Sequence, residues 1–279
     1  MLDLMLGNSP EAFSCGEIYA LFRPFQKQHF DPVCRCGDEN CAIWAQLRHV
    51  PERNFHEQAL QQRGIRYVVD SSKDLRWVLD SNIWAQGRNY RIHNVLIWKE
   101  PMELAFSHWR RGQPIDFFRK QFLVYCNRFL SLNLPFLSVS YNKLRTDPRN
   151  VLQQVCNALG MEFTDGREEF WHKHHHHFFG NAGTASQVKK GESRVRAQTE
   201  YPDKFIAEYE NLLSSTGPDV EIQQVIDQLR SCEVGHPTMS DRRPFSPSLI
   251  RPGWYYRHML KAVFRRKFPA PPPTVFHTS

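Results

Sequence analysis

The chain has 279 residues, 41% hydrophobic content and a formal charge of +7. That allows one large α/β domain, or one domain with an appended tail, and it favours an anionic ligand or surface. No run approaches the roughly 18 apolar residues of a membrane-spanning helix, and the start Met1-Leu2-Asp3-Leu4-Met5-Leu6 lacks the basic segment of a signal peptide, so a soluble, cytoplasmic protein is expected.

Met1–Leu6 reads as the back of a helix, stopped by Gly7-Asn8 with Pro10 beyond. Glu17 follows Gly16 and opens the apolar Ile18–Phe22, at a loop-to-helix junction where a carboxylate is also favoured by the helix dipole. Seven cysteines, an odd number in a long chain, argue against a disulfide framework. Cys126 and Cys156 sit in helical patterns as small core residues. Cys34, Cys36 and Cys41 are crowded together and could ligate zinc with Cys15 as a fourth donor, although the spacing is not a common zinc pattern. A local disulfide, or free thiols packing a loop, are the alternatives.

Residues 39–49 and 55–63 carry helical periodicity, the second closed by Gly64. Ile65–Asp70 is a β-branched strand followed by Ser71-Ser72-Lys73 and a helix from Asp74. Val95–Trp98 reads as a strand buried on both faces, with Lys99 at its carboxyl end, Pro101 in the first turn of the next helix and Ser107 further along it. A cation and a hydroxyl so placed flank the crevice where open α/β sheets bind ligands, and suit a phosphate. Helices are expected over 102–112 and 115–131, and a third strand over Phe136–Tyr141. Asp147 and Pro148 then form the N-cap and first turn of a helix that Gly160 closes. Strand-then-helix units in succession imply right-handed crossovers and a parallel sheet.

Glu168–Phe178 reads as a helical or irregular stretch; its run His174–His177 could bind metal, but adjacent positions on a helix diverge, and a surface or cleft run with at most one functional member is the plainer reading. Gln187–Arg196 is a basic, Gly-bearing loop, equally suited to solvent or to phosphate contact. Residues 203–214 and 220–231 are two more amphipathic helices. The domain is expected to end near 235, with 236–279 a Pro-rich basic tail. Trp254–Lys267 mixes aromatics with Arg257, Lys261, Arg265, Arg266 and Lys267, so weak peripheral membrane contact is conceivable beside plain packing.

Several of these motifs, in this order, resemble the sulfotransferases that use 3′-phosphoadenosine 5′-phosphosulfate, in particular the bacterial carbohydrate-type and tyrosylprotein-like branch. Lys99-Glu100-Pro101-Met102 through Ser107 resembles the family's 3′-phosphate motif. Tyr141-Asn142-Lys143-Leu144, with the helix up to Gly160, resembles its Tyr-x-x-Leu segment. Gly16-Glu17 resembles its Gly-Glu pair, and Cys36-Gly37 with Cys41 and Trp44 its Cys-Gly loop. Asp70-Ser71-Ser72-Lys73 and Gly180-Asn181 fall at its active-site loops. The match spans roughly residues 1–200.

The resemblance implies a P-loop-like three-layer parallel sheet flanked by helices, its first strand missing from this chain. It implies sulfuryl transfer from that nucleotide to a carbohydrate, small-molecule or tyrosine hydroxyl, with no metal required and no nucleic-acid partner. Glu17 would act as base and Lys73 as electrostatic stabiliser. Lys99, Ser107, Tyr141, Gly180, Asn181, Lys190 and Arg194 would hold the nucleotide, and His176 would contact the acceptor. Two departures stand out. Lys99 and Met102 replace the motif's arginines, which loses the bidentate fork, and the family's strand and 5′-phosphosulfate loop, which precede its first helix, are not in this sequence. A fragment, a late start codon or a true loss of activity would each account for that. A non-catalytic nucleotide- or polyanion-binding relative is the alternative. A P-loop kinase is disfavoured, since no Gly-x-x-x-x-Gly-Lys-Ser/Thr loop is present.

Overall fold

The computed structural model describes residues 1–180, 200–217 and 219–235. Backbone contacts divide the chain at Arg243/Pro244, and everything described belongs to the first part. The elements run α1 (Leu2–Leu6), β1 (Ala12–Gly16), α2 (Tyr19–Phe22), α3 (Ala42–Leu47), α4 (Phe55–Leu60), β2 (Tyr67–Asp70), α5 (Leu75–Trp84), β3 (Asn94–Trp98), α6 (Pro101–Trp109), α7 (Phe117–Leu130), β4 (Phe136–Ser140), α8 (Tyr141–Thr146), α9 (Pro148–Leu159), α10 (Asp203–Thr216) and α11 (Val220–Ser231).

The molecule is mixed α/β, and its strands pair in parallel as the strand-helix alternation predicts. Among the described residues, however, they form two small sheets, β1 with β2 and β3 with β4, and not one continuous sheet. The outer edges of both pairs are covered. Gly16 bridges to Phe178 beside β1, and Ser138 to Glu233 beside β4. Among the described residues, β2 and β3 each have a single partner strand.

Burial follows this arrangement. Every residue of β1 and β4 is buried, whereas all four of β2 are half-buried. The expectation that Val95–Trp98 is covered on both faces is corrected: Leu96 and Trp98 are buried, but Val95 is half-buried and Ile97 is 39% exposed. Successive side chains of a strand point to opposite faces, so the half-buried Val95 and exposed Ile97 mark the face of β3 that the cavity leaves uncovered.

β1 was not anticipated, because Ala12-Phe13-Ser14-Cys15-Gly16 holds no β-branched residue. Two cores build it. Ala12 packs with Leu4, Met5, Val139, Leu152, Val155 and Phe170. Phe13 and Cys15 pack with Ile18, Trp44, Phe55, Trp77 and Phe178. At roughly 1.5–3 kcal/mol per buried large apolar side chain, this packing outweighs the weak local propensity.

α9 begins and ends as its sequence dictates. The Asp147 carboxylate accepts from the Asn150 N–H at 3.3 Å, Pro148 fills the first turn, and Gly160 closes the helix at φ 67°. Cys126 and Cys156 are buried core residues of α7 and α9. Two cations hold the exit of α1: Arg167 donates to the Leu6 carbonyl at 2.7 Å, and Lys173 to those of Gly7 and Ser9 at 2.7 Å.

Candidate functional site

A cavity of about 940 Å³ lies along β2 and β3, within the size range of small-molecule sites. Its lining joins the residues that follow three strands: Ser71, Ser72 and Lys73 after β2, Lys99 after β3, and Tyr141 and Arg145 after β4. Glu17, just past β1, lines it too.

At one end Lys73 Nζ donates to Glu17 Oε1 in an ion pair. The sequence separation of 56 residues is closed by the β1–β2 register, in which Gly16 lies opposite Asp70. Further bonds lock the two turns together: Ser71 N–H to the Gly16 carbonyl at 2.9 Å, and Tyr19 N–H to Ser72 Oγ at 2.9 Å. Asp70 organises the turn from below, its carboxylate accepting from the Ser72 N–H at 2.9 Å and from Trp77 Nε1 at 2.6 Å, with His56 Nε2 at 3.2 Å.

Gly16 is required where it stands. Its φ is 75°, and a Cβ there would lie 2.0 Å from the Phe178 carbonyl oxygen. That carbonyl accepts from the Glu17 N–H at 3.3 Å, and the Phe178 N–H donates to the Cys15 carbonyl at 3.2 Å. The Gly-Glu pair thus reflects a close backbone crossing as well as a carboxylate.

At the other end Lys99 Nζ lies 4.4 Å from the centre of the Tyr141 ring. Arg145 lies over the same ring at 5.7 Å and pairs with Glu103 at 3.2 Å, both side chains being buried. Lys99 has no ion-pair partner among the described residues. Burial holds its ammonium below the ordinary lysine value, against the pull of Glu103, and the guanidinium groups of Arg145, Arg111 and Arg110 add to the depression. Burial likewise raises the Tyr141 phenol.

The expected residues therefore divide. Glu17, Lys73, Lys99, Tyr141 and Gly180 line one cavity. Ser107 does not: it is half-buried on α6, where its carbonyl accepts from Arg111 Nε at 3.0 Å. Asn181, Lys190 and Arg194 lie outside the described residues, as does the basic tail. His176, expected at the acceptor, does not line this cavity; its Nδ1 lies 3.2 Å from Cys41 Sγ. The histidine run is extended and not helical, so its members alternate. His175 and His177 are buried, and His174 and His176 are more open. Arg145 was missed, although its position four residues after Tyr141 on a helix places both on one face.

Cys15 as a companion of the thiol cluster is also corrected. Its Sγ donates to the Val69 carbonyl at 3.1 Å inside the β1–β2 pair. Among the described residues no helix is long and apolar enough to cross a membrane. No family model, curated protein or solved structure matches the chain.

Proposed function

We propose that the chain is a sulfotransferase of the type that uses 3′-phosphoadenosine 5′-phosphosulfate, with the cavity along β2 and β3 as the nucleotide site. The observation that carries the reading is the arrival of Glu17 and Lys73, far apart in sequence, as one ion pair in the cavity that also holds Lys99 and Tyr141. Two cationic ends suit a donor with phosphate groups at both ends of its ribose. That β2 and β3 each pair with one strand among the described residues supports the further reading that the fold is of the P-loop type, with a strand of that fold beside them.

The reaction rests on positioning and electrostatics. The acceptor hydroxyl oxygen attacks sulfur in line, the bond from sulfur to the 5′-phosphate oxygen breaks, and the 3′,5′-bisphosphate leaves. Incoming sulfuryl oxygens compete for the Lys73 ammonium, and the released Glu17 carboxylate takes the hydroxyl proton. Lys99 and Arg145 neutralise the 3′-phosphate against the Tyr141 ring. Ser107 would join them only through a change of α6.

Titration calorimetry with adenosine 3′,5′-bisphosphate, followed by a transfer assay with labelled phosphosulfate against sugar and phenol acceptors, tests the reading. Binding with transfer supports it. Binding without transfer leaves the non-catalytic nucleotide-binding alternative, and no binding overturns both nucleotide readings.

A further inference from the structure

The structure assigns a second site, a structural zinc centre, to Cys34, Cys36, Cys41 and His176. It does not depend on the sulfotransferase reading. The three Sγ atoms and a His176 ring nitrogen all lie within 4.8 Å of one another. Cys41 Sγ and His176 Nδ1 approach to 3.2 Å. A tetrahedral zinc, at about 2.3 Å from sulfur and about 2.0 Å from nitrogen, needs donors separated by roughly 3.5–3.8 Å. The side chains already stand close to that spacing, so small rotations would complete the tetrahedron.

The surrounding backbone is arranged for thiolates. The Cys36 N–H points at Cys34 Sγ at 3.5 Å and the Asp38 N–H at Cys36 Sγ at 3.4 Å. Gly37, at φ 83°, turns the chain so that these amides face sulfur. Such N–H donors disperse the charge of metal-bound sulfur. The histidine is held as firmly: Trp44 Nε1 donates to the His176 carbonyl at 3.2 Å, and the Arg35 N–H to that of His177 at 3.0 Å. Three thiols meeting one imidazole from 135 residues away in sequence is more than packing a loop requires. Cys34 and Cys41 are buried, and the four protein donors leave no open position, which marks a structural and not a catalytic centre. The metal would pin the residue 34–41 loop to the strand-like segment whose Phe178 accepts from the Glu17 N–H.

The full-length chain, produced in zinc-replete medium under reducing conditions and desalted, is expected to hold about one zinc per chain by elemental analysis. Cobalt substitution should give the visible absorption of a tetrahedral ion with thiolate charge transfer. Cys36→Ser and His176→Ala should each lower metal affinity at least ~10-fold. His176→Cys, which restores a fourth donor, and Cys15→Ser, which lies outside the cluster, should keep the zinc. A wild-type chain that takes up no metal on reconstitution overturns the proposal. So does zinc content indifferent to both Cys36→Ser and His176→Ala, or lost in Cys15→Ser while the fold persists. If Cys36→Ser does not fold, the cobalt spectrum of the wild type and the His176→Cys rescue still decide.

Discussion

The two ends of the cavity use lysine in opposite ways. Lys73 is exposed and finds its counter-charge within the protein, in Glu17. Lys99 is half-buried, set over an aromatic ring, and surrounded by guanidinium groups. An exposed ion pair is weakly stabilising and easily exchanged for a competing anion. A desolvated, uncompensated ammonium is costly to hold and gains most when an anion arrives. In the proposed reaction, this difference would suit the β1–β2 end to changing charge and the β3–β4 end to standing charge.

The largest effect should come from Glu17→Gln, which keeps the shape and removes the proposed base. Transfer should fall by ~10²- to 10⁴-fold while bisphosphate affinity changes little. Transfer near wild type would break the assignment of chemistry to that end. Next is Gly16→Ala. Because the added Cβ meets backbone and φ is positive, a loss of at least ~3 kcal/mol in urea unfolding is expected, a measure of how firmly Phe178 is held against β1.

Lys99→Met should weaken bisphosphate binding by roughly tenfold or more, whereas Lys73→Met should change it by no more than about threefold and reduce transfer instead. Equal losses in calorimetry would erase the contrast. The pH dependence sharpens it. Lys99 is depressed, so its charge is present below the lowered titration point and vanishes as pH rises through it, before the ordinary 10.5 is reached. Free-protein stability should rise slightly over that window, because the unfolded chain still binds the proton. Bisphosphate affinity should fall there, and Lys99→Arg should flatten the fall. The smallest effect belongs to Arg66→Ala, at a residue that lines the cavity but is 65% exposed. Its exposed pair with Glu11 should be worth no more than ~0.5 kcal/mol.

Much of the fold was legible because it is local. Asp147, Pro148 and Gly160 announce the limits of α9 through capping chemistry, and the β-branched run up to Asp70 announces β2. Ala12–Gly16 carries no such signal and becomes a strand through burial between two cores. The candidate site's residues and their grouping came from the family resemblance, and its supporting contacts did not. Glu17, Lys73, Lys99 and Tyr141 were each recognisable, yet Arg145 and the Asp70 network required knowing which faces turn inward. His176 shows how much depends on backbone conformation. Read as a helix, the histidine run scatters its side chains, but as extended backbone it sends every second imidazole the same way.

By itself, then, the amino-acid order determined most of the helices, though not α8, where a strand was expected to run on to Tyr141, together with three of the four strands, their parallel sense and an excess of basic side chains. Those follow from periodicity, capping and charge, which act over a few residues. Tertiary structure decided that the strands pair two by two, that Lys73 is compensated and Lys99 is not, and that His176 rather than Cys15 meets the three thiols. These depend on contacts between segments far apart in sequence, where packing alone chooses the partner.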